Sequence, residues 1–307
     1  MSTSAAIPAA APGESRGPFR LAMGVIVTTM VVIVFGAMTT STGSGMAFVD
    51  WPLSDGQLMP ERSYTTVPGF LEHFHRLIAS LAGTLALVLA LWLQFGRRAT
   101  PAARKTAWIG GVVLLMQAVV GGVGVRLELP AVTSVTHGLL AQVTLSIFAW
   151  LAYLLSDRYA RTAPIDGVPP GTGRRLAIVA VAMLIAQTLL GGIARHTNNS
   201  HALWTHAGNS LVVFLVVVIA TGFAVGKLGG VPGLRGVARW LATLLILQLV
   251  LGFVALIVRN SAGKTPENVA NLGTAALISV HVFLGAMLTV LAATLCAHVF
   301  RGTRRPE

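Results

Sequence analysis

The stretch Phe70 to Gly83, FLEHFHRLIASLAG, sets a glutamate, two histidines and an arginine at the mouth of an otherwise apolar helix. Ionisable side chains within a hydrophobic span cost roughly 2.5–3.5 kcal/mol each at mid-bilayer and less near the interface, which makes them functional candidates. At about 100° per residue, Glu72, His75 and Arg76 share one helix face, while His73 stands about 200° from His75. One histidine of the two therefore points inward. Below His75 the same face carries Ala79, Ala82, Gly83 and Ala86. These small side chains leave room for a neighbouring helix or a planar cofactor.

The rest of the chain supplies the setting for such a helix. Its 307 residues are 54% hydrophobic and only 10% charged, with a mean hydropathy of +0.76, far outside the soluble range. Apolar runs of the ~20 residues needed to cross a bilayer fall at 19–40, 70–95, 107–125, 131–155, 176–194, 204–226, 238–258 and 273–299. The expected fold is all-α and integral to the membrane, with eight transmembrane helices in two pseudo-symmetric four-helix bundles. The expected units are a disordered cytoplasmic tail at 1–18, bundles at 19–156 and 176–300, a cytoplasmic linker at 157–175 and a basic tail at 301–307. A single cysteine, Cys296, excludes an internal disulfide and says nothing about compartment.

The net charge of +12 is distributed as a topology signal, which argues against nucleic acid. Of the 22 Lys and Arg residues, sixteen fall on one side of the spans, five on the other, and Arg76 lies inside the second span. That bias places both termini in the cytoplasm by the positive-inside rule. Residues 1–18 have neither an apolar signal core nor an Arg-rich amphipathic pattern, and a bacterial plasma membrane is expected. The longest outer loop follows the first span and contains Trp51, Pro52, Leu53 and Tyr64, as interfacial aromatics or as a lid.

Two patterns repeat along the spans. Gln-x-x-x-Gly occurs at Gln117–Gly121, Gln187–Gly191 and Gln248–Gly252, in the third, fifth and seventh spans. Close helix packing alone would select a glycine there. The even spans each place one histidine near the outer end: His75, His137, His206 and His281. Four residues later stand Ala79, Ala141, Ser210 and Gly285, all small. One intramembrane histidine is more often structural, but four at matched depth point to ligands. His196 and His201, between the fifth and sixth spans, and His298, near the opposite face, are read as solvated or interfacial.

Zinc sites gather three or four ligands at close quarters, and the only nearby carboxylate is Glu72. Two bundles instead pair His75 with His137 and His206 with His281, the arrangement by which two helices hold a haem through axial imidazoles. Arg76, Arg126, Arg195 and Arg259, near outer helix ends, are candidates to bind haem propionates, or are snorkelling cations. The halves differ at one place. Glu72 stands three residues before His75, whereas Leu203 stands three before His206. The glutamate can act as a base or stabilise developing positive charge, or simply pair with Arg76 at i,i+4.

Trp51-Pro52-Leu53, Glu72-His73-Phe74-His75-Arg76, the run QAVVGGVGVRLELP from Gln117 to Pro130, Arg195-His196-Thr197 and the late His206 and His281 together resemble the haem A synthase family, over nearly all of residues 20–300. The resemblance implies oxidation of the C8 methyl of haem O to a formyl group, giving haem A for terminal oxidases. It implies substrate haem between His75 and His137 with Glu72 at the reacting edge, and haem b between His206 and His281, both toward the outer face. The partners it implies are a haem O-forming farnesyltransferase, a membrane electron donor and the lipid bilayer, with a homo-oligomer left open. Two departures stand out: the outer-loop cysteine pair of many members is missing, and Thr39-Thr40-Ser41-Thr42 lacks the arginine of the family's Thr-Arg-x-Thr. A non-catalytic di-haem cytochrome between a quinone and an external partner would share every histidine but not need Glu72. A haem carrier would hold exchangeable haem in both halves.

Overall fold

The computed structural model describes residues 16–97, 99–261 and 272–303, the side chains of 259–261 excepted. Its regular elements are helices: α1 Arg16–Ser41, α2 Arg62–Thr65, α3 Val67–Phe95, α4 Pro101–Arg126, α5 Ala131–Leu154, α6 Asp157–Arg161, α7 Pro170–Thr197, α8 Ser200–Leu228, α9 Leu234–Ser261 and α10 Leu272–Gly302. Eight of these among the described residues are long and apolar enough to cross a membrane. The shortest of the eight, α5 with 24 residues, spans about 36 Å at 1.5 Å per residue, more than a ~30 Å hydrocarbon core.

Several helices begin before the apolar run that announces them. Thr66 caps α3, its hydroxyl accepting from the Gly69 amide, with Pro68 in the first turn. Thr100 does the same for α4 through the Ala103 amide, just before Pro101. Such caps satisfy amides that the first turn leaves without partners. They start a helix in polar sequence, which hydropathy does not register. The short α6, capped by Ser156, and the start of α7 at Pro170, with a proline rather than a side-chain cap in its first turn, both lie inside the stretch expected as linker. His196 and His201 are also helical, in the last turn of α7 and the first of α8.

In the first half of the chain α1 packs on α3, α3 on α4, α4 on α5, and α5 back on α1. In the second half α7 packs on α8, α8 on α9, α9 on α10, and α10 back on α7. The halves meet where α10 lies against α1 and α5, and α5 against α7. Buried apolar side chains concentrate at the ends remote from the four histidines. Val25, Ile26, Leu89, Leu93, Ala107, Leu145, Phe148 and Leu151 form one cluster, and Val217, Leu228, Leu234, Leu241, Leu288 and Leu295 another. Ala82 and Ala86, the lower part of the small strip beneath His75, are 3% and 2% exposed, and Ala86 packs in the cluster that includes α1. That part of the strip takes a neighbouring helix.

His298 corrects its sequence reading. It is fully buried near the end of α10, its Nδ1 on the Thr294 carbonyl at 2.8 Å and its ring tilted over Tyr153 with centroids 4.1 Å apart. Proximity to a helix end suggested solvent, but the packing of α5 on α10 closes over it.

Candidate functional site

Each of the four histidines meets the membrane-crossing helix that precedes its own in the chain. His75 Nδ1 is 3.0 Å from the Val32 carbonyl of α1, His137 Nδ1 is 2.9 Å from the Gln117 carbonyl of α4, and His206 Nδ1 is 3.0 Å from the Gln187 carbonyl of α7. A carbonyl only accepts, so in all three rings Nδ1 carries the proton and Nε2 presents its lone pair. This is how a ligating imidazole is oriented from behind. One turn after each carbonyl stands a glycine against the ring. A Cβ on Gly36, Gly121 or Gly191 would lie 2.8, 2.9 or 2.9 Å from Cε1 of His75, His137 or His206. Gly252 faces His281 in the same way at 3.1 Å.

The Gln-x-x-x-Gly repeat therefore has a specific use: a carbonyl to fix the ring and a glycine to admit it. The first span performs both tasks with Val32 and Gly36, which the sequence reading missed because valine replaces the glutamine. A backbone carbonyl needs no particular side chain, and a glycine four residues after any residue at that depth was the remaining signal. The amide side chains add local bonds. Gln187 Nε2 donates to the His206 carbonyl at 2.7 Å and Gln187 Oε1 accepts from Asn209 at 2.8 Å; Gln117 Oε1 accepts from Thr144 at 3.2 Å. His281 differs, with Nε2 3.4 Å from Gln248 Nε2 and Nδ1 buried without a partner.

The structure brings the histidines together as expected pairs. Ring centroids of His75 and His137 are 6.2 Å apart with planes at 68°, and those of His206 and His281 are 6.3 Å apart at 84°. In each half the two belong to helices that are not consecutive in the packing order. Metal–imidazole bonds of about 2 Å on opposite sides of one ion put two ring centres about 6 Å apart. Among the described residues no three His, Cys, Asp or Glu side chains converge as a metal cluster. The arrangement fits two pairs of axial ligands, and not a zinc-like group.

Glu72 is the one buried acid among the described residues, 3% exposed. Its Oε1 accepts from Arg76 Nη2 and its Oε2 from the Phe48 amide at 3.1 Å. Arg76 also donates to the carbonyls of Phe48, Asp50 and Leu53. The arginine expected at a propionate is therefore committed to the outer loop. Across the mouth, Trp51 covers Gly122, where a Cβ would lie 2.4 Å from its indole, and Arg126 donates to the Trp51 carbonyl at 3.2 Å. Residues 48–53 are thus pinned to both α3 and α4, next to Gly121 and His137. Of the two readings of Trp51, this contact favours the cover.

The loop is stiffened from within. Asp50 accepts from the amides of Asp55 and Gly56 at 2.9 and 2.8 Å, where the chain turns through left-handed conformations at φ 52° and 68°. Desolvation acts to raise the Asp50 carboxyl, but the backbone amide bonds, those of Gly56 and Asp55 foremost, and the nearby Arg76 charge together hold it below the ordinary carboxylate value. His73 faces this loop, its Nδ1 3.0 Å from Ser54 Oγ, and is buried away from the histidine pair. Arg195 Nη2 reaches from α7 to the Ala37 carbonyl and Ser41 Oγ of α1, at 2.8 and 2.6 Å. The Arg259 side chain lies outside the described residues.

Eight membrane-crossing helices with two facing histidine pairs define a multi-pass helical membrane protein with two paired-imidazole sites. The chain belongs to the Cytochrome oxidase assembly protein family, which it matches over residues 19–300. It is 32% identical over 133 residues to the Heme A synthase of Ruegeria pomeroyi, covering 40% of this chain and 34% of that protein. It is 25% identical over 179 residues to the Heme A synthase of Exiguobacterium sibiricum, covering 58% and 59%. A third Heme A synthase, from Symbiobacterium thermophilum, is 25% identical over 203 residues, covering 64% and 65%. The chain thus spans between about a third and two thirds of the length of these curated relatives.

Proposed function

We propose that this protein is a haem A synthase, oxidising the C8 methyl of haem O to a formyl group. The observation that carries the reading is the 6.2 and 6.3 Å spacing of two histidine pairs, with three of the four rings fixed through Nδ1. In this reading residues 19–156 and 176–300 are two pseudo-symmetric bundles. His75 and His137 hold substrate haem O, and His206 and His281 hold a resident haem b, which supplies electron transfer when bound. Arg126 and Arg259 remain the propionate candidates, while Arg76 belongs to the loop and Arg195 bonds α1. Haem O comes from the farnesyltransferase that makes it, and electrons pass to or from a membrane carrier.

The residues of the first half exclude water and supply charge. Phe48, fully buried, and Trp51 close the outer mouth. Glu72 is a fixed negative charge beside the reacting edge, where low polarity strengthens its effect on developing positive charge. With both oxygens bonded, it suits this role better than that of a mobile base. Glu72→Ala would strand Arg76, and breaking a buried pair costs about 3–5 kcal/mol, so Glu72→Gln is the cleaner test. It removes the charge. Its one carbonyl oxygen can still accept from the Phe48 amide, and Arg76 loses this partner but keeps its bonds to the carbonyls of Phe48, Asp50 and Leu53. Haem O should still bind, while haem A formation falls at least about ten-fold and haem O or a hydroxylated intermediate accumulates. Wild-type conversion by Glu72→Gln would reduce Glu72 to a loop anchor.

The proposed orientation places both sites toward the outer face of a bacterial plasma membrane, with both termini inside. Cys296 is buried, so an introduced cysteine is the thiol available to reagent. Ser200→Cys, at the exposed start of α8, should label with an impermeant thiol reagent on intact spheroplasts, and Thr172→Cys, exposed near the start of α7, should not. The reverse pattern overturns the topology.

A further inference from the structure

Gly191 and Arg195 are one turn apart on α7, so they face the same way. Gly191 admits the ring of His206. Arg195 reaches across to the first half, donating from Nη2 to the Ala37 carbonyl at 2.8 Å and to Ser41 Oγ at 2.6 Å. Ala37 directly follows Gly36, the glycine that admits the ring of His75. A single guanidinium therefore joins the helix segment that seats one ligand of the first pair to the segment that seats one ligand of the second. The remaining seam between the halves runs through α10 and α5 and carries no such charge-assisted link at the depth of these glycines in the bonds described. A cation near the C-terminal end of α1 is also favoured by that helix's dipole, and bonds to a charged donor are the stronger class.

We propose that Arg195 is a positioning residue that couples the two histidine pairs, so that seating a porphyrin between His75 and His137 is felt at the porphyrin between His206 and His281. This rests on the haem reading above. Loading the first pair fixes the Gly36–Ser41 turn of α1. Through its two bonds to that turn, Arg195 and the α7 turn behind His206 are fixed with it. Coupling of this kind is reciprocal, because each site must change the other's binding free energy by the same factor. The oxidation state of the second-pair haem should then alter the affinity of the first pair for haem O.

The test uses full-length protein in detergent or nanodiscs carrying the second-pair haem, titrated with haem O while that haem is held oxidised or reduced. In the wild type the two dissociation constants should differ by about five-fold or more, at the lower end of typical coupling. In Arg195→Gln both haems should still bind and the ratio should fall toward one. Ser41→Ala removes one acceptor, keeps the arginine's charge, and should reduce the ratio part way. If Arg195→Gln does not accumulate, Ser41→Ala decides. A wild-type ratio near one, or a ratio that neither substitution changes while both haems bind, overturns the coupling. Failure of either pair to take up haem in the wild type is a different result and overturns the haem reading itself.

Discussion

His206→Ala and His281→Ala are each expected to remove the low-spin b-type absorbance of the purified protein. His75→Ala and His137→Ala should leave that absorbance in place and abolish conversion of haem O. The expected size follows from the bonds behind the rings. Loss of an outer partner of a ligating histidine commonly costs about 10–100-fold in affinity or activity, so loss of the imidazole itself should exceed about 100-fold. The separation of the two effects matters as much as their size. The pairs have nearly the same centroid spacing, 6.2 and 6.3 Å, but among the described residues only the first has a buried carboxylate and a pinned loop beside it. Haem content and conversion measured on the four variants at matched expression decide the matter. Unchanged haem content in all four would remove the ligand assignment.

Gly121→Ala and Gly191→Ala are expected to lower haem affinity at their own pair by about 10–100-fold while leaving the fold intact. The added Cβ would lie 2.9 Å from Cε1 of His137 or His206, closer than real contacts allow. The ring cannot retreat without lengthening its Nδ1 bond to the Gln117 or Gln187 carbonyl. In every other respect alanine suits a helix better than glycine, by about 0.8–1.0 kcal/mol. Loss of haem therefore would not report a weakened helix. Gly138→Ala and Gly208→Ala are the controls, since each lies within two residues of a ligand yet its Cβ would meet nothing within 4 Å. They should keep wild-type haem. Equal haem retention by all four glycine variants would show that the ring contacts have no part in binding.

The spans and the histidine pairs were legible because both rest on local pattern. Apolar length marks a membrane helix, and one histidine per even span at matched depth survives without knowledge of the packing. What held the histidines was not legible. The acceptors are main-chain carbonyls, and Val32 performs in α1 what Gln117 and Gln187 perform in α4 and α7. A motif written in side chains therefore showed two of the three ring-holding carbonyls and missed the one that belongs to a valine. The glycines were visible, but close helix packing explained them equally well until the rings were seen against them.

Long-range contacts account for the remaining differences. Arg76 shares a face with Glu72, and their pairing was foreseeable at i,i+4. Its bonds to the carbonyls of Phe48, Asp50 and Leu53 depend on a loop conformation set by Asp50 and two left-handed residues. Arg195 reads as an outer-end cation, and nothing in its neighbourhood of sequence points to Ala37 and Ser41, more than 150 residues away. His298 reads as interfacial from its place near a helix end, yet α5 packs over it and it is fully buried.

The most direct measurement is extraction of the pigments from membranes in which this chain is expressed together with a source of haem O, beside membranes with the haem O source alone. Haem A, or its hydroxylated precursor, should appear only where the chain is present and should disappear with His75→Ala. Membranes that contain the protein with both histidine pairs loaded, but yield haem O and haem B alone, would contradict the assignment and leave a di-haem protein without this oxidation.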